Sequence, residues 1–150
     1  MKTNSIKKLS VLALVSLSLV FAIGCSMEDD SADFVEPEKQ ISGNWQVVQA
    51  FRNDENITAL MDFSQFQISF EEDGSYSFQN YLPFLISEEG SWTLDDPQYP
   101  NYISFSGNSG QEPVESQVRL PVKAGKRQIS LSFSPGCSSN SYTYIFERTE

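Results

Sequence analysis

The sequence predicts an all-β protein: eight short antiparallel strands closing as an up-and-down barrel, preceded by an N-terminal signal peptide and a flexible tether. Three observations carry this. From Ile41 onward apolar residues recur at every second position, the period that turns one face of a strand toward a core. These runs are short, and clusters of Gly, Pro, Asn, Asp and Ser separate them. Aromatic residues make up 13% of 150 positions, enough large rings to fill a single small domain. Helical spacing occurs in one stretch of this region, Ile57-Thr58-Ala59-Leu60-Met61.

Taken in order, Trp45 and Val47 mark a first strand near 43–51. Phe66, Ile68 and Phe70 mark a second near 65–71, and Tyr76 and Phe78 a third near 75–80. Glu71-Glu72-Asp73-Gly74 joins these two as a hairpin turn, with glycine free to take positive φ. Trp92 and Leu94 place a strand near 91–95, Ile103 and Phe105 one near 101–106, and Val118, Leu120 and Val122 one near 116–122. Ile129, Leu131 and Phe133 give a strand near 128–134, and Tyr142, Tyr144 and Phe146 the last, near 142–148. Pro121 lacks the ladder donor and belongs at a strand end or a bulge. Eight such strands close as a barrel or split into a sandwich.

In an up-and-down barrel alternate connections share an end, so the long connections 52–64, 81–90, 107–115 and 135–141 form one rim. The short ones, 72–74, 96–100 and 123–127, form the other, where the chain enters at Gly43. The long-loop rim carries Leu60, Met61, Tyr81, Leu82 and Phe84, more apolar surface than a solvated loop needs. These residues either fold inward as a plug or make a lid and portal that touches a ligand or a partner. Pairing of the last strand with the first brings Trp45 beside Arg148. Arg148 shares the face of Tyr144 and Phe146, so its guanidinium is expected near the indole, with an arginine that extends into solvent as the competing expectation.

Residues 1–24 stand apart from this domain. Lys2, Lys7 and Lys8 precede an apolar run over 9–23, the order of a secretory signal and a run short for a membrane span. It ends in Ala22-Ile23-Gly24-Cys25, which resembles the lipobox of bacterial lipoprotein precursors, with Ala22 where a larger aliphatic residue is usual. The resemblance implies cleavage before Cys25 and acylation of that residue. Removing three lysines leaves seven basic against 20 acidic side chains, a formal charge of −13. Glu28, Asp29, Asp30, Asp33, Glu36 and Glu38 crowd the stretch behind Cys25, which buries too little to offset its ordering entropy. Residues 25–40 are therefore read as the lipidated cysteine and an acidic tether, and 41–150 as the barrel domain. Ser26-Met27-Glu28-Asp29-Asp30 is also similar to the acidic signal that sends Bacteroidetes lipoproteins to the cell surface, a periplasmic-facing location being the alternative.

The composition narrows the chemistry. The chain has no histidine, which removes the commonest general base and most transition-metal sites. Its net charge of −10 argues against nucleic acid. Glu71 with Glu72, Glu88 with Glu89, and Asp95 with Asp96 are adjacent carboxylates beside Gly74, Gly90 and Pro97. Neighbours on a strand point to opposite faces, so these read as solvated turn acids rather than a glycosidase pair or a calcium loop. With Cys25 acylated, Cys137 has no partner for an internal disulfide and reads as an incidental thiol in a turn. Lys123-Ala124-Gly125-Lys126-Arg127 reads first as a hairpin turn, with attraction to anionic lipid headgroups as a secondary use. No enzyme, cofactor or metal is expected.

Gly43-Asn44-Trp45 resembles the G-x-W signature of lipocalins. Glu72-Asp73-Gly74-Ser75-Tyr76-Ser77-Phe78 and Gly90-Ser91-Trp92-Thr93-Leu94 are similar to the lipocalin-like lipoprotein domains of Bacteroidetes, over roughly residues 41–150. That resemblance implies a lipocalin-like barrel closed around Gly43, Trp45 and Arg148, with the basic side chain across the signature Trp, and a cup for a small apolar or amphipathic ligand. Two functions follow as expectations. The first is an outer-membrane, surface-exposed lipoprotein that binds such a ligand without catalysis. The second is a barrel filled by its own side chains, an accessory or structural lipoprotein that meets an outer-membrane partner protein through its long-loop rim. The volume of the interior discriminates between them.

Overall fold

The barrel closes where the last strand meets the first. The computed structural model describes residues 35–80, 86–137 and 139–149, and their strands run β1 (Gly43–Arg52), β2 (Glu55–Asn56), β3 (Gln67–Phe70), β4 (Ser75–Gln79), β5 (Gly90–Leu94), β6 (Tyr102–Gly107), β7 (Val114–Arg119), β8 (Val122–Lys123), β9 (Lys126–Phe133) and β10 (Tyr142–Arg148). Eight of them form the closed antiparallel ring β1-β3-β4-β5-β6-β7-β9-β10, with β10 pairing both β9 and β1. The two-residue strands β2 and β8 extend the hairpins of β1 and β9 beyond that ring. The fold class read from the sequence is the fold observed: all-β, up-and-down and eight-stranded.

The inward positions are those with period-two spacing. Trp45, Ile68, Phe70, Tyr76, Ile103, Phe105, Val118, Ile129, Leu131, Tyr144 and Phe146 are all buried in one continuous core. Rings meet throughout it: Phe105 packs edge-on to Tyr76 at 5.2 Å, Phe70 edge-on to Trp92 at 5.4 Å, and Phe133 against Tyr144 at 5.8 Å. Ser116 is the polar inward residue of β7, and its hydroxyl donates to the Ser132 carbonyl at 3.1 Å. Among the described residues no buried side-chain polar atom lacks a hydrogen-bond partner, which removes the main cost of packing such a core.

Three local features depart from the sequence reading. The register of β1 against β10 shifts between Val47 and Gln49. This bulge moves the buried phase from Trp45 and Val47 to Ala50. The strand expected over 116–122 stops at Arg119, and Pro121 lies outside any strand. Without an amide donor Pro121 cannot continue the ladder, so Val122 leaves the core and is exposed. The helical spacing at 57–61 yields a 3-10 turn at Thr58–Leu60, followed by another at Phe63–Gln65.

Candidate binding surfaces at the barrel ends

The chain enters at the closed end. Residues 35–42 carry no strand or helix, yet the Lys39 amide donates to the Pro97 carbonyl at 2.7 Å and Ile41 is buried. The last part of the stretch read as tether is thus tied to the barrel, because the next residue but one is core. The Ile41 carbonyl accepts the Trp45 indole N–H at 2.7 Å, which fixes the ring over the barrel floor. Trp45 and Arg148 are direct register partners, and the guanidinium carbon lies 4.9 Å from the indole centroid. Gly43 completes the stack. Its φ is +123°, and a Cβ there would sit 3.1 Å from Arg148 Nη1, so side chains are disfavoured by both conformation and space.

A groove of about 580 Å³ runs between this entering arm and β5, lined by Lys39, Ser42, Glu72, Trp92, Leu94 and Pro97. Another, of about 530 Å³, lies beside it along Gly43 and the Glu71-Glu72-Asp73 turn. The sequence reading missed both, because the arm that walls the first has no period to recognise. Trp92 is held at the edge of the groove by its indole N–H, which donates to the Ser75 carbonyl at 3.1 Å.

At the other end, the open rim, Asn53 and Asp54 take positive φ (50° and 65°) in the β1–β2 turn, a conformation these two residue types accept. The Asn53 side chain accepts the Ser141 amide at 2.8 Å and Arg52 Nε donates to Asn140 Oδ1 at 3.0 Å, stitching two rim loops together. Leu60 is 78% and Met61 46% exposed, so these two rim residues do not plug the barrel. Phe63 does, tilted against Phe66 at 6.0 Å and Tyr144 at 5.9 Å. The signal for Phe63 was an Asp62 cap followed by aromatics three apart; the Asp62 carboxylate accepts the Ser64 amide at 3.1 Å. Tyr81, Leu82 and Phe84 lie outside the described residues, as does Cys25.

The adjacent carboxylates have structural work. Asp95 accepts backbone amides of Asp96, Asn101 and Tyr102 at 2.9–3.0 Å, and the Tyr102 amide does most to hold its pKa below the ordinary value. Hydrogen bonds from Ser75 lower Asp73 in the same way. Glu88 accepts the Ser109 amide at 3.0 Å, joining two rim loops. Cys137 is exposed with its Sγ 3.0 Å from the Ser139 hydroxyl, whose hydrogen bonding lowers the thiol pKa. Among the described residues no cluster of three His, Cys, Asp or Glu side chains could hold a metal ion, and no helix is long and apolar enough to cross a membrane.

Fold and sites together define a closed antiparallel β-barrel protein, an architecture compatible with ligand binding, with grooves at its floor and exposed apolar residues at its rim. The family described as a domain of unknown function, DUF5004, matches residues 23–147, and the chain belongs to that family. No curated protein and no solved structure matches it.

Proposed function

We propose that this chain is a non-catalytic lipoprotein, acylated at Cys25, held in the outer membrane and displayed at the cell surface. Its lipocalin-like barrel serves as a filled scaffold that presents the open rim to a partner protein. The observation that carries this reading is the core: Trp45, Phe70, Phe105, Leu131, Tyr144 and Phe146, from β1, β3, β6, β9 and β10 around the ring, are each no more than 1% exposed. A lipocalin-type cup requires several hundred cubic ångströms of lined volume; among the described residues, the pocket where Tyr76 and Phe105 meet the rim loops holds about 30 Å³. Exposed Leu60 and Met61 are then rim residues available for contact.

Binding of a small apolar or amphipathic ligand is the second reading. It draws on the 580 Å³ floor groove with Trp92, Leu94 and Pro97, whose volume falls in the range of ligand sites. Titration of the mature chain with an apolar fluorescent probe such as N-phenylnaphthylamine separates the two. The scaffold reading expects no saturable one-to-one binding; saturable binding lost on Trp92→Ser assigns function to the groove instead. For the anchor, labelling with an alkyne fatty acid in the native bacterium is expected to be lost in Cys25→Ser, and unlabelled wild-type protein contradicts it. Cleavage by protease added to intact cells supports surface display; protection until the outer membrane is opened assigns the periplasmic face.

A further inference from the structure

The β8–β9 hairpin projects past the closed end of the ring, and residues 121–127 are all exposed. It holds Lys123, Lys126 and Arg127, with Arg119 at the end of β7 just before it. Lys123 and Lys126 are direct cross-strand partners, an arrangement of like charges that costs stability within the chain. Among the described residues the ion pair present is Lys39 with Glu36, so none of these four cations is neutralised, although acids outnumber bases two to one. Beside the hairpin stand exposed rings and an exposed aliphatic: Tyr99 (61%), Tyr102 (47%) and Val122 (62%). They are contiguous, since Tyr102 pairs with Gln117 of β7, the Val118 amide donates to the Asn101 carbonyl, and Tyr99 and Leu120 line one shallow cleft.

We infer that this side of the closed end is a docking surface for anionic phospholipid headgroups. Cations without partners, amphipathic tyrosines and an aliphatic side chain at a hairpin tip match the chemistry of a membrane interface, where charge draws the surface in and the apolar groups enter the headgroup layer. Glu71, Glu72 and Asp73 lie on the turn diametrically opposite in strand order, between β3 and β4; the acids beside the tyrosines, Asp95 and Asp96, are engaged by the backbone amides of their own turn. Residues 36–42 enter the barrel at this same end, so the chain that carries the proposed anchor is covalently joined here. To that extent the inference deepens the lipoprotein reading.

The test removes the anchor. Among the described residues the buried core lies between Ile41 and Phe146, so a chain beginning at residue 25 with Cys25→Ser keeps every strand of the barrel and lacks any acyl group. Flotation with vesicles of phosphatidylcholine containing about a third phosphatidylglycerol is compared with phosphatidylcholine alone. Binding is expected to the anionic vesicles only and to weaken with salt. The triple variant Lys123→Glu, Lys126→Glu, Arg127→Glu is expected to lose partitioning at least a hundredfold, at roughly fivefold per basic residue. An unchanged melting temperature verifies that the variant is folded. Absence of binding to anionic vesicles, or binding that the triple variant retains, overturns the inference; so does a hairpin that binds only an acidic protein. Because no acyl group is present, failure here leaves the Cys25 labelling result intact, and the reverse also holds.

Discussion

Phe105→Ala probes whether the barrel is full. The ring is 1% exposed at the centre of β6, edge-on to Tyr76 at 5.2 Å and tilted against Phe70 at 6.2 Å. Truncation forfeits the transfer free energy of the ring and leaves a void that the surrounding ladder cannot close, since both neighbours of β6 are hydrogen-bonded along it. For a ring so enclosed the expected loss is about 3–5 kcal/mol, which in a domain of this size lowers the melting temperature by roughly 10–20 °C. Urea denaturation followed by fluorescence of Trp45 and Trp92 measures it. Leu60→Ala, at a side chain that is 78% exposed, is the matched control and should change stability by under about 0.5 kcal/mol. If Phe105→Ala costs less than about 1 kcal/mol, the ring faces space rather than neighbours, and the filled-barrel argument fails.

Three further outcomes are expected. Arg148→Ala removes the guanidinium from the Trp45 face and should cost about 0.5–2 kcal/mol with a change in the indole emission; equal stability and emission would show the stack to be incidental. Gly90→Ala places a Cβ 1.9 Å from the Ser106 carbonyl oxygen, so the β5–β6 ladder must part and the melting temperature should fall by several degrees or more, whereas Gly110→Ala, with nothing near its Cβ, loses only what its positive φ costs. Burial, with a smaller contribution from Tyr142, pushes the Tyr144 pKa up from 10.0 to about 12. Above pH 10 the unfolded chain releases this proton and the folded chain keeps it, so stability is level below pH 10 and falls between pH 10 and 12. Tyr144→Phe should flatten that decline, and an unchanged slope would contradict the assignment.

Much of this fold was legible because the signal is periodic. Ile68 with Phe70, and Ile129 with Leu131 and Phe133, alternate without interruption, and their strands fall within two residues of the expected bounds. The β1 bulge was not legible: the pattern of Trp45 and Val47 would carry Gln49 inward, and only pairing with β10 shows that Ala50 takes that place. Val122 continued an apolar period, but Pro121 before it decided its fate, a case where one missing donor outweighs three alternating residues. At the rim, hydrophobicity selected Leu60 and Met61 over Phe63, because composition cannot tell which side of a loop faces the core. That Trp45 and Arg148 meet was readable from topology, since closing the ring fixes which ends of the first and last strands pair; that they stack followed from the shared face of Tyr144, Phe146 and Arg148 together with the lipocalin resemblance. The floor grooves were not, because they depend on where residues 36–42 cross the end of the barrel.

On the proposed function, side chains and no guest fill the barrel. A crystal structure of the mature chain grown with excess dodecanoic acid tests it most directly. No elongated density is expected among Phe105, Leu131 and Tyr144, whose side chains are expected to keep the positions they hold in the absence of the acid. A continuous acyl chain along the axis, with those side chains displaced to the wall, would contradict it.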